Sequence, residues 1–269
     1  MAPRRMSMDR RAYLKTVGAS GAVALTGLSG CLGGGGGDGE TQSITPGTAP
    51  GFPPFEMKEG GELVGFDIDL LEAVVGETDY TLNDWQEFEF KALIPALTND
   101  KIDVIAAAMT ITDQRDQTVD FSNPYYSADQ AILVREDGSF TPSTLQDLAD
   151  HKIGAQKGTT GENVVMNQLI KPGLISEQQY NSYGNYVLAI EDLQNGNIDA
   201  VVLDTPVANT FASERPVSVA FVYQTGENYG FAVRESSNAL VGSLNDGLEA
   251  VRASGRYQEI TKKWFGQNS

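Results

Sequence analysis

The chain has few of the residues that could stabilise it covalently or hold it in a membrane. Cys31 is its only cysteine and His151 its only histidine, so no intramolecular disulfide can form and a Cys/His zinc site is excluded. The apolar stretch Thr16–Leu28 spans about 13 residues, whereas crossing a bilayer takes about 20. Stability must therefore come from a hydrophobic core, and the length suffices for one or two compact lobes.

Basic residues are in the minority. Lys and Arg number 19 against 36 Asp and Glu, which gives a formal net charge of −17. Such a charge argues against nucleic acid or an anionic membrane surface as a partner. The acidic residues are scattered through ordinary elements, as in globular proteins that stay soluble in concentrated salt, where ions screen the self-repulsion. We therefore hypothesise a halophilic source.

Residues 1–30 resemble a twin-arginine lipoprotein signal peptide. Paired arginines lie in Asp9–Lys15, and Leu28–Cys31 resembles a lipobox, with cleavage expected before Cys31 and lipidation of its thiol. The alternative is that Cys31 is a buried structural cysteine. The glycine run that follows it favours an exposed, flexible tether over residues 31–42.

Strand-like and helical patterns alternate along the rest of the chain. Asp103–Met109 and Ala200–Leu203 are nearly all apolar, as expected for strands buried on both faces. The spacing of apolar residues predicts a helix over 66–75, with Asp67 as its N-cap, and another over Leu240–Trp264. This alternation predicts an α/β fold with mostly parallel sheets.

Polar side chains follow three of the predicted strands. Thr110–Arg115 supplies hydroxyls and an arginine, Gln156–Gly161 opens a helix with a glycine-threonine loop, and Asp204 supplies a carboxylate. Ligands bind at the carboxyl ends of strands in such sheets. The arginine could hold a carboxylate with paired hydrogen bonds and Asp204 an ammonium group, which together predict a site for a zwitterion. Taken locally, the alternative for Arg115 is a surface ion pair with a neighbouring aspartate.

The order and spacing of several motifs resemble the extracytoplasmic solute-binding proteins of polar amino-acid ABC transporters (bacterial solute-binding protein family 3). The resemblance covers nearly all of residues 43–266. Its motifs are Pro54–Glu56, Gly65–Leu70, Ala92–Leu97, Met109–Arg115, Asp120–Tyr126, Gly158–Thr160, Asp199–Asp204 and Lys263–Gly266.

The family resemblance implies a two-lobed periplasmic-binding-protein fold of type II, with two mostly parallel sheets joined by a two-strand hinge. Lobe one would comprise residues 41–126 and 229–269, and lobe two residues 129–225. The hinges would lie near 125–130 and 224–229. The lobes are expected to close on the ligand.

The same resemblance implies a set of ligand-binding residues, carried over position by position. Arg115 and Thr110 would bind the α-carboxylate with Thr160 from lobe two, Asp204 and the Ala108 carbonyl would bind the α-ammonium, Phe52 and Phe90 would enclose the side chain, and Gln156 would contact it. The chain departs from the pattern at Ala49, where an acidic residue is often found. This departure makes a cationic ligand side chain less expected. No catalytic residue, cofactor or metal is implied.

The predicted function is that of a lipid-anchored, monomeric binding component of an amino-acid ABC importer, outside the cell membrane, which delivers a free amino acid to a membrane permease. One alternative is a small carboxylic-acid dehydratase-like enzyme on the same scaffold. Its general acid or base would have to be Glu56 or Glu227, for which the motifs favour structural roles. A second alternative is a sensory ligand-binding module.

Overall fold

A computed structural model of the protein describes residues 42–266. The predicted signal peptide, the lipidation site at Cys31 and nearly all of the predicted tether lie outside these residues. Within 42–266, no helix combines the length and the apolar character that crossing a bilayer requires.

Strands and helices alternate along the described chain. The strands are β1 (Gln42–Ile44), β2 (Pro46–Thr48), β3 (Met57–Glu59), β4 (Glu62–Val64), β5 (Tyr80–Leu82), β6 (Gln86–Glu87), β7 (Val104–Ile105), β8 (Val119–Phe121), β9 (Tyr126–Arg135), β10 (Ile153–Gln156), β11 (Tyr180–Tyr183), β12 (Ala200–Asp204), β13 (Val217–Tyr229) and β14 (Ala232–Arg234). The α-helices are α1 (Phe66–Val75), α2 (Phe90–Thr98), α3 (Asp113–Asp116), α4 (Thr160–Val164), α5 (Tyr186–Gln194), α6 (Thr205–Glu214), α7 (Asn238–Ala253) and α8 (Arg256–Phe265). Short 3-10 turns lie at Leu145–Leu148 and Glu177–Gln179, and α4 continues as a π-helix over Val165–Ile170.

Two five-stranded sheets form the centres of two lobes. The first has the order β6-β2-β7-β14-β8, and the second has the order β11-β10-β12-β9-β13. In each sheet the first two pairings are parallel and the last two antiparallel. All strands but the fourth in the order therefore run in one direction, so the expectation of mostly parallel sheets is confirmed. The reversed direction of β9 and β14 was not predicted.

Strands β9 and β13 form a long antiparallel ribbon that runs from lobe two towards lobe one. Their register runs from Val217 opposite Arg135 to Tyr229 opposite Tyr126, with one irregularity between Val219 and Phe221 and a second between Tyr223 and Glu227. There the backbone N–H groups of Thr225 and Gly226 both donate to Asp129 Oδ1 at 2.8 Å. The second irregularity interrupts the hydrogen bonds between β9 and β13 at the point where the ribbon exits lobe two.

Helix α1 begins where the backbone makes a close approach. Gly65 is its N-cap at φ 150°, and a Cβ there would clash with the carbonyl oxygen of Phe55. Only glycine fits this position. The sequence-based assignment of Asp67 as N-cap was wrong, because Asp67 lies inside the first turn and is completely buried.

Helices α7 and α8 replace the single long helix predicted over Leu240–Trp264. Gly255 separates them with a left-handed backbone at φ 84°. Helix α1 packs against both of them, and the rings of Phe55 and Phe66 contact Phe265 at the end of α8. The C-terminal helices thus belong to the core of lobe one.

Candidate functional site

A small cavity lies between the lobes. Its walls are Ala49, Phe52, Glu56, Phe90, Ala107, Ala108, Thr110, Arg115, Gln156, Thr159, Thr160 and Asp204. All eight residues expected to bind ligand line this one cavity. They come together because α2, α4 and the ends of β7, β10 and β12 converge at the interface of the lobes, as strand ends do in open α/β sheets.

Arg115 bridges the two lobes. It lies in α3, where the Thr112 side chain caps the helix by accepting from the Arg115 N–H. Its Nη1 donates to the carbonyl oxygen of Thr110 at 2.6 Å, and its Nη2 donates to that of Gly158, in lobe two, at 3.0 Å. The guanidinium stands 5.3 Å from the centre of the Phe90 ring. Burial lowers the pKa of Arg115, and attraction to Glu227 and Asp204 opposes that effect.

Asp204 ends β12 as a buried acid. Its Oδ1 accepts hydrogen bonds from Tyr229 Oη at 2.7 Å and from Gln130 Nε2 at 3.0 Å. Burial raises its pKa to about 7, with repulsion from Glu227 adding to the rise, while these hydrogen bonds and Arg115 act against it. A carboxyl in this state is poised to ionise when a cation arrives.

Glu227 joins both lobes, a role that the motifs did not predict. Its Oε2 accepts from the hydroxyls of Thr110 and Thr160, each at 2.7 Å, and its Oε1 accepts from Gln130 Nε2 and Thr225 Oγ1, each at 3.0 Å. Thr110 belongs to lobe one and Thr160 to lobe two. The only sequence signal for this role was the position of Glu227 near the second predicted hinge, two residues before Tyr229. Its contacts with Thr110 and Thr160 could not be predicted, because these residues are far away in the sequence.

Glu56, for which the motifs favoured a structural role, lines the cavity. Its side chain is 1% exposed, and its Oε2 has no hydrogen-bond partner within residues 42–266. Burial raises its pKa well above the usual value, and repulsion from Asp67 and Asp204 adds to the shift.

Ala108 has an unusual backbone in the cavity wall. Its φ is 45°, a left-handed conformation that costs a non-glycine residue on the order of 1 kcal/mol. Its N–H donates to Asp67 Oδ2 at 2.6 Å, and the Tyr125 hydroxyl donates to the same oxygen at 2.5 Å. Burial raises the pKa of Asp67 to about 7, and these two hydrogen bonds act against the rise. The hydrogen bond to Asp67 thus stabilises the left-handed backbone of Ala108.

One end of the cavity continues into an open cleft. Ala49, Phe90 and Gln156 line both spaces. Gln156 is held by a hydrogen bond from its Nε2 to the Gly184 carbonyl at 3.1 Å. The Phe52 ring packs against that of Tyr186 with a centroid distance of 5.6 Å. The small side chain at Ala49 therefore lies where the inner cavity meets the outer cleft.

Several named proteins are similar to this chain in sequence. A histidine-binding protein of Campylobacter jejuni, described as probable, is 35% identical over 227 residues, which cover 83% of this chain and 85% of that protein. The ABC transporter arginine-binding protein 1 of Escherichia coli K12 is 35% identical over 233 residues, covering 84% and 92%. Both are named as binding proteins rather than as enzymes.

Solved structures share the fold. An ancestral arginine-binding protein with bound arginine matches with a TM-score of 0.78 and 37% identity over 83% of this chain and 98% of that one. An ancestral amino-acid-binding protein described as a precursor of cyclohexadienyl dehydratase matches with a TM-score of 0.76 and 34% identity, covering 83% and 95%. These neighbours establish the type II periplasmic-binding-protein fold.

The sequence match extends over both lobes. Residues 44–267 match the sequence model of one family, from β1 to just beyond the end of α8. The chain therefore belongs to the bacterial extracellular solute-binding proteins, family 3.

Proposed function

We propose that the protein captures a free amino acid in the cavity between its lobes and delivers it to the permease of an ABC importer. The observation that carries this proposal is the presence of Arg115 and Asp204 in the wall of one small cavity between the lobes. An arginine and an acid in one desolvated space complement the carboxylate and ammonium groups of a zwitterion. The relatives named for arginine and histidine support an amino acid as ligand.

The carboxylate end would be bound by Arg115, Thr110 and Thr160. An arginine has five N–H donors, and in the described part of the chain the carbonyls of Thr110 and Gly158 engage one on each terminal nitrogen. The other donors are available to a ligand. The ammonium would be bound by Asp204 and the Ala108 carbonyl, with the ligand side chain between Phe52 and Phe90.

Capture would proceed by closure of the lobes. Arg115, Glu227 and Asp204 already make contacts that cross from lobe one or the ribbon to lobe two. We propose hinges near 125–130 and 224–229, where β9 and β13 leave the second sheet, because a few residues at such places can absorb a domain motion. Closure expels water, which strengthens each charge pair.

The proposal also includes a lipid anchor for the protein and a halophilic source organism. A lipidated Cys31 and its glycine tether would keep a monomeric protein near the permease on the outer face of the membrane, and two acyl chains would be needed for stable anchoring. The net charge of −17 supports a halophilic setting. Fold stability that rises from low salt to molar KCl supports this interpretation, and stability independent of salt refutes it.

A thermal-shift screen of the standard amino acids and of compatible solutes, in high salt, tests the proposed function. A bound amino acid should raise Tm by an amount that grows with its affinity and concentration. No shift with any amino acid refutes the proposal.

A second candidate is the dehydratase-like enzyme. The observation that favours it is Glu56, an acid whose raised pKa would keep a proton available in the cavity. Recovery of the bound ligand chemically unchanged, in stoichiometric amount, excludes this candidate, whereas turnover of a bound acid establishes it. A sensory module would bind the same ligand without a permease, so reconstitution with the permease separates it from the importer.

A further inference from the structure

Glu56 is fixed in the cavity wall by a tight turn packed against α1. Its carbonyl oxygen accepts from the N–H groups of Gly51 and Phe52, and its own N–H donates to the carbonyl of Phe52. The first residues of α1 hold the turn in place, since the Asp67 N–H donates to the Phe55 carbonyl at 3.0 Å. The close approach at Gly65 permits this packing. Backbone hydrogen bonds therefore fix the position of Glu56 in the cavity wall.

One oxygen of the Glu56 carboxyl lacks a hydrogen-bond partner in the described residues. Glu56 is 1% exposed, its Oε2 is buried without a hydrogen bond within 42–266, and the residue lines the cavity. A buried acid without a partner destabilises a fold. Buried polar groups of this kind are rare, and one that lines a cavity is a candidate contact for a ligand.

The charges around Glu56 indicate which kind of ligand group it could bind. Asp67 from α1 and Asp204 from the end of β12 both repel it, and burial disfavours its ionised form. Arg115 is the cation in the cavity wall, and it interacts with Glu227 and Asp204. No cation is among the charged groups that act on Glu56 within residues 42–266, so a cationic donor from the ligand would complement its carboxyl.

We propose that Glu56 is a second acidic acceptor for the ammonium group of the ligand, acting together with Asp204. This inference rests on the proposed function. An ammonium has three N–H donors, and the expected partners, Asp204 and the Ala108 carbonyl, take two of them. Glu56 lines the cavity with both and is the acceptor for the third. The ligand class is therefore an amino acid with a free primary ammonium.

The proposal is tested with Glu56→Gln, Glu56→Met and the control Glu72→Gln. Glutamine keeps the size of Glu56 without its charge, and methionine removes its polarity. Glu72 is an exposed glutamate of α1 outside the cavity. The probes are L-arginine with 5-guanidinopentanoate and L-glutamine with 4-carbamoylbutanoate. Each pair differs only in the ammonium group, and Kd is measured by calorimetry in high salt.

We expect both Glu56 variants to weaken binding of the amino acid by about tenfold or more, with a change of less than about threefold for its deaminated analogue. The control should leave both Kd values unchanged. Glu56→Met should also raise the Tm of the empty protein, because it removes a buried unpartnered carboxyl. A purely structural residue would lower Tm and weaken both probes alike.

Equal losses for the two probes, or unchanged Kd values in both Glu56 variants, overturn the proposal while leaving the proposed function intact. Wild-type protein that binds none of the standard amino acids overturns the inference together with the proposed function. If Glu56→Met does not fold, the Kd values of Glu56→Gln decide.

Discussion

The buried state of Asp204 makes amino-acid binding depend on pH. Its pKa in the empty protein is raised to about 7 by burial and by repulsion from Glu227. Binding an ammonium requires the ionised form. At pH 5 about one empty molecule in a hundred carries that form, against about half at pH 7. Affinity should therefore rise roughly 50-fold between pH 5 and pH 7, or about 2 kcal/mol. The ligand changes little in charge over this range, because its carboxylate and its amino group titrate outside it.

The variant that isolates this effect is Asp204→Asn. Both hydrogen bonds to Asp204, from Tyr229 and Gln130, end on Oδ1, and an asparagine oxygen can accept them equally well. The fold should therefore survive, while the charge and its titration disappear. Calorimetric titrations from pH 5 to pH 7 at constant salt should give weak amino-acid binding with a shallower pH profile. The deaminated analogue should be affected far less.

Two results would refute the reasoning. One is an equal loss of affinity for the amino acid and for its deaminated analogue, which would mean that Asp204 does not contact the ammonium. The other is a pH profile in Asp204→Asn as steep as in the wild type, which would assign the titration to another acid. Glu56 acts in the same direction, so some slope should persist in the variant.

Three further predictions concern the carboxylate end, the support of the cavity wall and closure. Arg115→Ala should abolish the amino-acid-induced rise in Tm, since each hydrogen bond from a charged donor contributes about 1.5–3 kcal/mol; an undiminished rise would contradict the proposed clamp. Asp67 has a pKa raised to about 7 by burial, so its contribution to stability is fully present below the unfolded value of 3.8 and is lost as pH rises through 7. The stability lost over this pH range is on the order of 4 kcal/mol. Asp67→Asn should therefore reduce the decline in the free energy of unfolding, measured by denaturant titration, between about pH 4 and pH 8. An unchanged slope would exclude Asp67 as the source of the decline. Glu227→Ala should destabilise the closed form relative to the open form by about 1–3 kcal/mol. The radius of gyration of the empty protein, measured by X-ray scattering, should therefore increase. An unchanged radius would show that this carboxylate does not hold the lobes together.

The fold class and much of the cavity wall could be predicted from the sequence. Alternating strand and helix patterns indicate an α/β fold, and polar residues at strand ends indicate where a ligand can bind. These signals are local, and in such folds strand ends converge by geometry. For this reason Arg115, Thr160 and Asp204, which are far apart in the chain, could be assigned to one site from their sequence positions. Their roles toward a ligand stay a prediction.

The other acids that share this site became identifiable through the packing of the lobes. Sequence position singled out Glu56, Asp67 and Glu227 as candidate residues, but it did not indicate that they are buried. Their burial and their hydrogen bonds arise from contacts across more than forty residues, such as Asp67 with Ala108 and Thr110 with Glu227. The reversed direction of β9 and β14 was missed for the same reason, because each strand takes its direction from where the chain enters a lobe after crossing over from the other one. Desolvation and long-range pairing are properties of the packed molecule, and they turn Thr110–Arg115 from a polar turn into one wall of an acid-lined cavity.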